Sequence, residues 1–326
     1  MAGVQSMMAG AQSYRGKRRL TQMLALLALV LVPALGLFRI DLAAGSLMIA
    51  GQPVNLRNFA AVLGLAIAAA TAPLVMISTI GTLWCGWACP QNLLSEWANN
   101  LTRRRLGSRA DVSVEATSAQ VAPSKNRAGN WIVLIASFGA AAAVLGVLPL
   151  FYFFPPQEVW ALVTFSENAQ FSRFMSRLYF VSAALAFVDI ALIRYFLCNY
   201  ACLYRFGSML FRNDDTLHVA YDATRAADCA KCNFCRVSCI TSIDPTKIGR
   251  FDRCVVCGEC VDACTRLHAK SEPPVPGLLR FVSGKAAPSG KPRTLAQRLP
   301  AMIGWHGALF VAGCALLAYG LLNAGA

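Results

Sequence analysis

Thirteen cysteines stand in this chain of 326 residues, and eight of them fall into two compact runs. Cys229, Cys232, Cys235 and Cys239 form the first, and Cys254, Cys257, Cys260 and Cys264 the second; both have the spacing C-x2-C-x2-C-x3-C. Thiols at this spacing bind iron–sulfur clusters. Three cysteines separated by two residues wrap a short loop around one cluster, and the fourth starts a helix that leads away and reaches the other. The expected ligation is therefore crossed. Cys229, Cys232, Cys235 and Cys264 are expected to hold one [4Fe–4S] cluster, and Cys254, Cys257, Cys260 and Cys239 a second. Zinc is the alternative, but structural zinc sites ordinarily use two C-x2-C pairs about a dozen or more residues apart. The proline that usually follows the fourth cysteine is replaced by Ile240 and Thr265.

Four more cysteines form two C-x3-C pairs. Cys85 and Cys89 lie in Leu83-Trp84-Cys85-Gly86-Trp87-Ala88-Cys89-Pro90, and Cys198 and Cys202 in Phe196-Leu197-Cys198-Asn199-Tyr200-Ala201-Cys202-Leu203. Each pair closes an apolar run at the same membrane edge, so one helix–turn unit is expected to occur twice. Residues four apart share a helix face, so each pair would present two thiols together. Such a set suits copper, a further redox centre or redox thiols; buried packing cysteines are the plainer alternative. Asp189 lies inside an apolar run, where a carboxylate costs about 2.5–3.5 kcal/mol on insertion scales. It is expected to serve as a proton acceptor beside a quinone or as a hydrogen-bonding partner that fixes helix packing. Cys85, Cys89, Cys198, Cys202 and Asp189 are the candidate catalytic set. Cys314 is expected to be a packing residue, and a lone His306 argues against haem.

The elements that must position these groups are membrane helices. The composition is 56% hydrophobic and only 14% charged, against roughly a quarter charged in soluble domains. Five apolar stretches reach the length of about 20 residues that a bilayer needs: Leu20–Ile40, Phe59–Leu83, Trp131–Phe154, Tyr179–Phe196 and Met302–Leu322. The net charge of +14 is distributed in blocks between them, which suits a membrane rather than nucleic acid. Arg15, Lys17, Arg18 and Arg19 precede the first stretch; six Lys and Arg lie in 90–130 and fifteen in 199–300, against one in 41–57 and two in 155–178. By the positive-inside rule the N-terminus, the second loop and the quartets face the cytoplasm and the C-terminus the periplasm of a bacterial inner membrane. The first stretch is expected to be a retained anchor rather than a signal peptide cleaved near Leu42–Gly45.

The expected fold is a membrane α-helical bundle of about five transmembrane helices with a cytoplasmic α+β ferredoxin-like dicluster domain. Its parts are an N-terminal segment 1–19, a four-helix region 20–198 with a flexible loop within 90–130, the dicluster domain 199–285, a linker 286–301 and a fifth helix 302–322.

From about Leu20 to Leu322 the chain resembles the membrane polyferredoxins. Trp84-Cys85-Gly86-Trp87-Ala88-Cys89-Pro90-Gln91 followed by Glu96 is similar to the motif of the cytochrome c oxidase accessory proteins (CcoG type). The run 97–105, ending in three arginines, is similar to the NapH-type quinol dehydrogenase subunits. Asp215–Asp222, Gly277–Phe281 and a helix after the quartets resemble the CcoG type specifically. That resemblance implies reduction of Cu(II) to Cu(I) in support of cbb3-type oxidase assembly. Its implied partners are a cytoplasmic donor or membrane quinol, a copper-delivery or oxidase partner, and lipid. The alternatives are a NapH-like quinol-oxidising subunit feeding a periplasmic reductase and a redox-sensing assembly scaffold. Two departures are visible: Leu203 stands where the second C-x3-C motif would have Pro, and the CcoG type continues into an immunoglobulin-like domain that has no counterpart after Leu322. A relative of that form is expected to serve a different oxidase or acceptor.

Overall fold

The structure, a computed structural model, describes residues 14–41, 45–107, 110, 120–164, 173–194, 196–213, 215–229, 232–249, 252–271, 273–283 and 295–323. The small-residue stretch 42–44, part of the expected flexible loop (108–109 and 111–119) and most of the expected linker (284–294) lie outside the described residues.

In chain order the elements are α1 (Tyr14–Ala34), β1 (Phe38–Asp41), β2 (Ser46–Ile49), β3 (Gln52–Asn55), α2 (Phe59–Ile80), α3 (Leu83–Trp87), α4 (Pro90–Leu106), α5 (Ala128–Phe153), α6 (Pro156–Val163) and α7 (Arg173–Val188). Helix α7 runs on into a π-helical turn, Asp189–Ile193, and a second such turn spans Leu197–Ala201. Then follow α8 (Leu203–Phe211), β4 (His218–Tyr221), α9 (Phe234–Val237), α10 (Glu259–His268), β5 (Leu279–Val282) and α11 (Leu295–Leu322).

Among the described residues, four helical stretches are long and apolar enough to cross a membrane: Phe59–Ile80, Ala128–Phe153, Arg173–Ile193 and Gly304–Leu322. At most 28% of each apolar window is buried within the chain, so most of their side chains face outward. Apolar surface on that scale needs a hydrocarbon solvent. The first expected span, Leu20–Ile40, turns out differently. Gly36 adopts φ +69°, a conformation that terminates helices. Helix α1 therefore stops at Ala34, and Phe38–Asp41 pairs antiparallel with Ser46–Ile49 instead.

The chain divides into two compact units. One comprises Leu24–Ala70, Pro90–Cys198 and Leu309–Ala326. Its helices cross closely where side chains are small. Gly64 passes the backbone of Leu317, and Gly320 that of Ala61, with no room for a Cβ at either glycine. The Asn58 side-chain amide donates to the Gly320 carbonyl at 2.9 Å across the same contact. Leu134, Phe138 and Ile190 from α5 and the turn after α7 form a core with Ala98 and Leu106 of α4.

The other unit comprises Met1–Met23, Thr71–Cys89 and Asn199–Ala308. Sequence alone sets the basic N-terminal segment apart from the quartets; the structure groups residues 14–23 with them. A two-stranded antiparallel ladder, β4 with β5, pairs Val219 with Phe281 and Tyr221 with Leu279. It packs on a core in which Cys254 and Cys260 stand beside Val256, Val261, Val219 and Leu279. Replacing Gly64 or Gly320 with Leu is expected to overpack the helix crossing and destabilise the protein by about 1–3 kcal/mol, seen as a lower thermal unfolding midpoint in detergent.

Candidate redox site

Both cysteine runs are folded by the same local device. The second cysteine of each is followed by a residue with left-handed backbone: Asn233 (φ 58°) after Cys232 and Gly258 (φ 85°) after Cys257. Gly and Asn enter that region at the least steric cost. Each begins a helix: Asn233 leads into α9, which carries Cys235, and Gly258 into α10, which carries Cys260 and Cys264.

The thiols gather into two sets that cross the sequence runs. Cys254, Cys257 and Cys260 lie within electrostatic reach of one another and of Cys239. Cys235 lies within reach of Cys264 and Cys232, and Tyr221 is hydrogen-bonded to Cys229 and within reach of Cys264. Cys229, Cys232, Cys235 and Cys264 together line a cavity of about 380 Å³. The fourth cysteine of each run thus stands with the first three of the other.

The donor chemistry fits iron–sulfur groups. Each set is made of thiols, the ligands such clusters take. Backbone N–H groups point at the sulfurs: Leu278 donates to Cys264 Sγ at 3.3 Å. Arg236, Val256, Glu259 and Val261 donate to Cys235, Cys254, Cys257 and Cys260. N–H donors to sulfur are among the features that tune such a group. Among the described residues, no three His, Cys, Asp or Glu side chains converge on a position for a single metal ion.

The two sets differ in exposure. Cys254, Cys257 and Cys260 are buried, and Cys232 is exposed. Burial pushes the Cys254 thiol up to about 11 and the Cys257 thiol up to about 12, and it raises Cys260 as well. At neutral pH these thiols are protonated in the free protein, so ligation there releases protons.

The N-terminal residues cover the buried set. The Tyr14 ring meets Phe281 and Trp87 edge-on, with centroids 5.0 and 6.4 Å away, and its N–H donates to Asp262 at 2.7 Å. Arg18, fully buried, donates to Glu259 at 2.9 Å, and Arg15 donates to the same oxygen at 3.2 Å. Gln22 donates to the Gly86 carbonyl at 3.2 Å.

The first C-x3-C pair is held against the buried loop. Gly81 (φ +59°) turns the chain after α2, so Cys85 lies on the separate short helix α3, with Cys89 just beyond it, rather than at the end of the spanning helix. Thr82 Oγ1 donates to the Cys254 carbonyl at 2.7 Å, and Trp87 Nε1 to the Val256 carbonyl at 3.0 Å. Gly86 lies so close to the Val255 carbonyl that a Cβ would overlap it. From α8, Tyr204 donates its hydroxyl to the Gly81 carbonyl at 2.7 Å. Burial raises the Tyr204 phenol first, and Cys85, Cys202 and Cys89 raise it further. Three of the four membrane-edge thiols therefore lie within electrostatic reach of one phenol.

The remaining two candidates, Cys198 and Asp189, belong to the other unit. Cys198 sits in the turn Leu197–Ala201 and belongs to the other unit, while Cys202 is extended at the start of α8. No single helix runs through both residues, because the backbone changes conformation between them. Asp189 accepts from Gln91 Nε2 at 2.9 Å, and Gln91 also donates to the Arg194 carbonyl at 3.2 Å. Arg194 is buried; it donates to the Ile190 carbonyl, Asn99 and Thr102, and lies 5.2 Å from the centre of the Phe138 ring. Asp189 therefore belongs to a polar network that ties α4 to the end of α7. Cys314 is exposed on α11 rather than packed. Sequence reasoning missed Tyr204, Gln91 and Arg194 as partners, although each lies within four residues of a residue it singled out.

Residues 61–109 match a family model described as a 4Fe-4S binding domain, and residues 223–284 match a 4Fe-4S dicluster domain. The first match includes Cys85 and Cys89; the second includes all eight quartet cysteines. The chain is 28% identical over 238 residues to Protein RdxA of Cereibacter sphaeroides, covering 69% of this chain and 49% of that one. It is 26% identical over 227 residues to Nitrogen fixation protein FixG of Rhizobium meliloti, covering 64% of this chain and 42% of that one. The chain spans about half the length of the curated relatives it matches. No solved structure matches it. The chain thus carries two 4Fe-4S domain matches, is similar to RdxA and FixG, and has helices suited to a membrane. Replacing Cys239 with Ser is expected to empty the set around Cys254, and replacing Cys264 the set around Cys229. Each change lowers iron from roughly eight to roughly four atoms per chain, and resonance Raman or EPR identifies the surviving centre.

Proposed function

We propose that this protein carries single electrons to the membrane-edge thiols and there reduces Cu(II) to Cu(I). Cys229, Cys232, Cys235 and Cys264 hold one [4Fe–4S] group, and Cys239, Cys254, Cys257 and Cys260 the other. Bound there, these groups supply one-electron transfer. The observation that carries the proposal is the clamp of α3 onto the buried loop: Thr82 and Trp87 bond the carbonyls of Cys254 and Val256 and hold Cys85 close to that set.

Two at a time of Cys85, Cys89 and Cys202 bind the substrate ion, since no three thiols converge on one metal position among the described residues. Soft thiolates favour Cu(I) over Cu(II), so the thiols that capture the ion also favour its reduced form. Tyr204 stays protonated, bonds Gly81 and lies within electrostatic reach of the three sulfurs. Each Cu(II) takes up one electron, and a cytoplasmic one-electron carrier or a membrane quinol restores it. The distribution of Lys and Arg supports a cytoplasmic position for the quartets. The likeness to the CcoG type supports a role beside a terminal oxidase.

Purified, reduced protein is expected to reduce Cu(II) stoichiometrically with its clusters. Replacing Cys85 and Cys202 with Ser is expected to slow that reaction by about tenfold or more and to leave cluster iron unchanged. Bleaching of the clusters by quinol with no reduction of Cu(II) would favour the quinol-oxidising alternative instead.

A further inference from the structure

The buried set poses an electrostatic problem that the exposed set does not. Reduction adds negative charge, and charge is costly where water is excluded. Burial alone would therefore make a group held by Cys239, Cys254, Cys257 and Cys260 harder to reduce than its exposed counterpart. A compensating cation is present. Arg18 is fully buried against Glu259, a residue that lies between Cys257 and Cys260 in the chain, and its guanidinium is within electrostatic reach of the Cys257 thiol. The other charged groups nearby are Arg15, on the same Glu259 oxygen, Asp262, bonded by the Tyr14 N–H, Arg266, which donates to the Asp262 carbonyl, and Arg212 and Asp252, which lie within electrostatic reach of Cys254. Of the cations named, Arg18 is the one that is fully buried.

We propose that Arg18 is a positioning residue for electron transfer: its buried positive charge keeps the centre held by Cys239, Cys254, Cys257 and Cys260 reducible, and Glu259 limits how far. This rests on the proposed ligation. The device needs a side chain that stays charged when buried, which Arg does and Lys does less well. It also explains why an N-terminal segment far away in sequence is folded onto the second cysteine loop.

The test is a redox titration followed by EPR on the full chain in detergent, with the buried centre assigned by its loss in Cys254→Ser. In Arg18→Gln the ratio of reduced to oxidised centre at a fixed potential is expected to fall about tenfold, a shift of about 59 mV for one electron. Glu259→Gln is expected to move the same centre the opposite way. Arg18→Lys is expected to stay nearer wild type than Arg18→Gln, and the exposed centre to be unmoved in all three. If Arg18→Gln does not retain the centre, Glu259→Gln decides alone: an upward shift supports the proposal. Unchanged potentials, or shifts of the same sign in Arg18→Gln and Glu259→Gln, would overturn it. A wild-type chain without iron would instead refute the ligation on which it rests, a separate and earlier result.

Discussion

Two hydrogen bonds, from Thr82 to the Cys254 carbonyl and from Trp87 to the Val256 carbonyl, organise the redox unit. Buried carbonyls that lose water need a donor, and the second cysteine loop is occupied on its inner side by thiols. Its outward carbonyls must be satisfied by another segment. Helix α3 does this, and the chain around α3 conforms to the requirement. Gly81 breaks the spanning helix so that α3 can turn onto the loop, and Gly86 lets the two backbones meet. Cys85 is carried to the loop as a consequence.

The two cysteine runs share a local code and end in different surroundings. Asn233 and Gly258 occupy equivalent positions with the same handedness. One loop opens on a cavity with an exposed Cys232; the other is sealed by Tyr14, Phe281, Trp87 and the Arg18–Glu259 pair. Cluster potential depends on burial, nearby charge and hydrogen bonds to sulfur, so equal ligands in unequal surroundings make unequal centres.

The membrane unit solves a different problem with polar groups. Lipid provides no hydrogen bonds, so a polar side chain there must find its partner within the protein. Asp189 finds Gln91, and Arg194 finds Asn99, Thr102 and the Ile190 carbonyl. Close crossings at Gly64 and Gly320 complete the packing. Of the two roles open to Asp189 from sequence, this network favours the packing role.

Much of this protein is local, and local features are legible in a linear sequence. Cysteine spacing specifies the loop that wraps a thiol-bound group, because ligand reach is set by two or three intervening residues. Long apolar runs mark four spans, because a bilayer demands a minimum length. The misplaced end of the first span and the break before Cys85 depended on single glycines at positive φ, a choice that hydropathy does not register. Contacts between distant segments were illegible for a different reason. Arg18 looks like Arg15, Lys17 and Arg19 in a basic stretch before a helix, and only the folded chain distinguishes the one that is buried on Glu259. Tyr204 gathers Cys85, Cys89 and Cys202 only because α8 and α3 meet. Residue type and spacing determine which chemistry the chain can hold; the tertiary structure decides which thiols share a neighbourhood and which charge they feel, because burial and proximity arise only when segments far apart in sequence pack together.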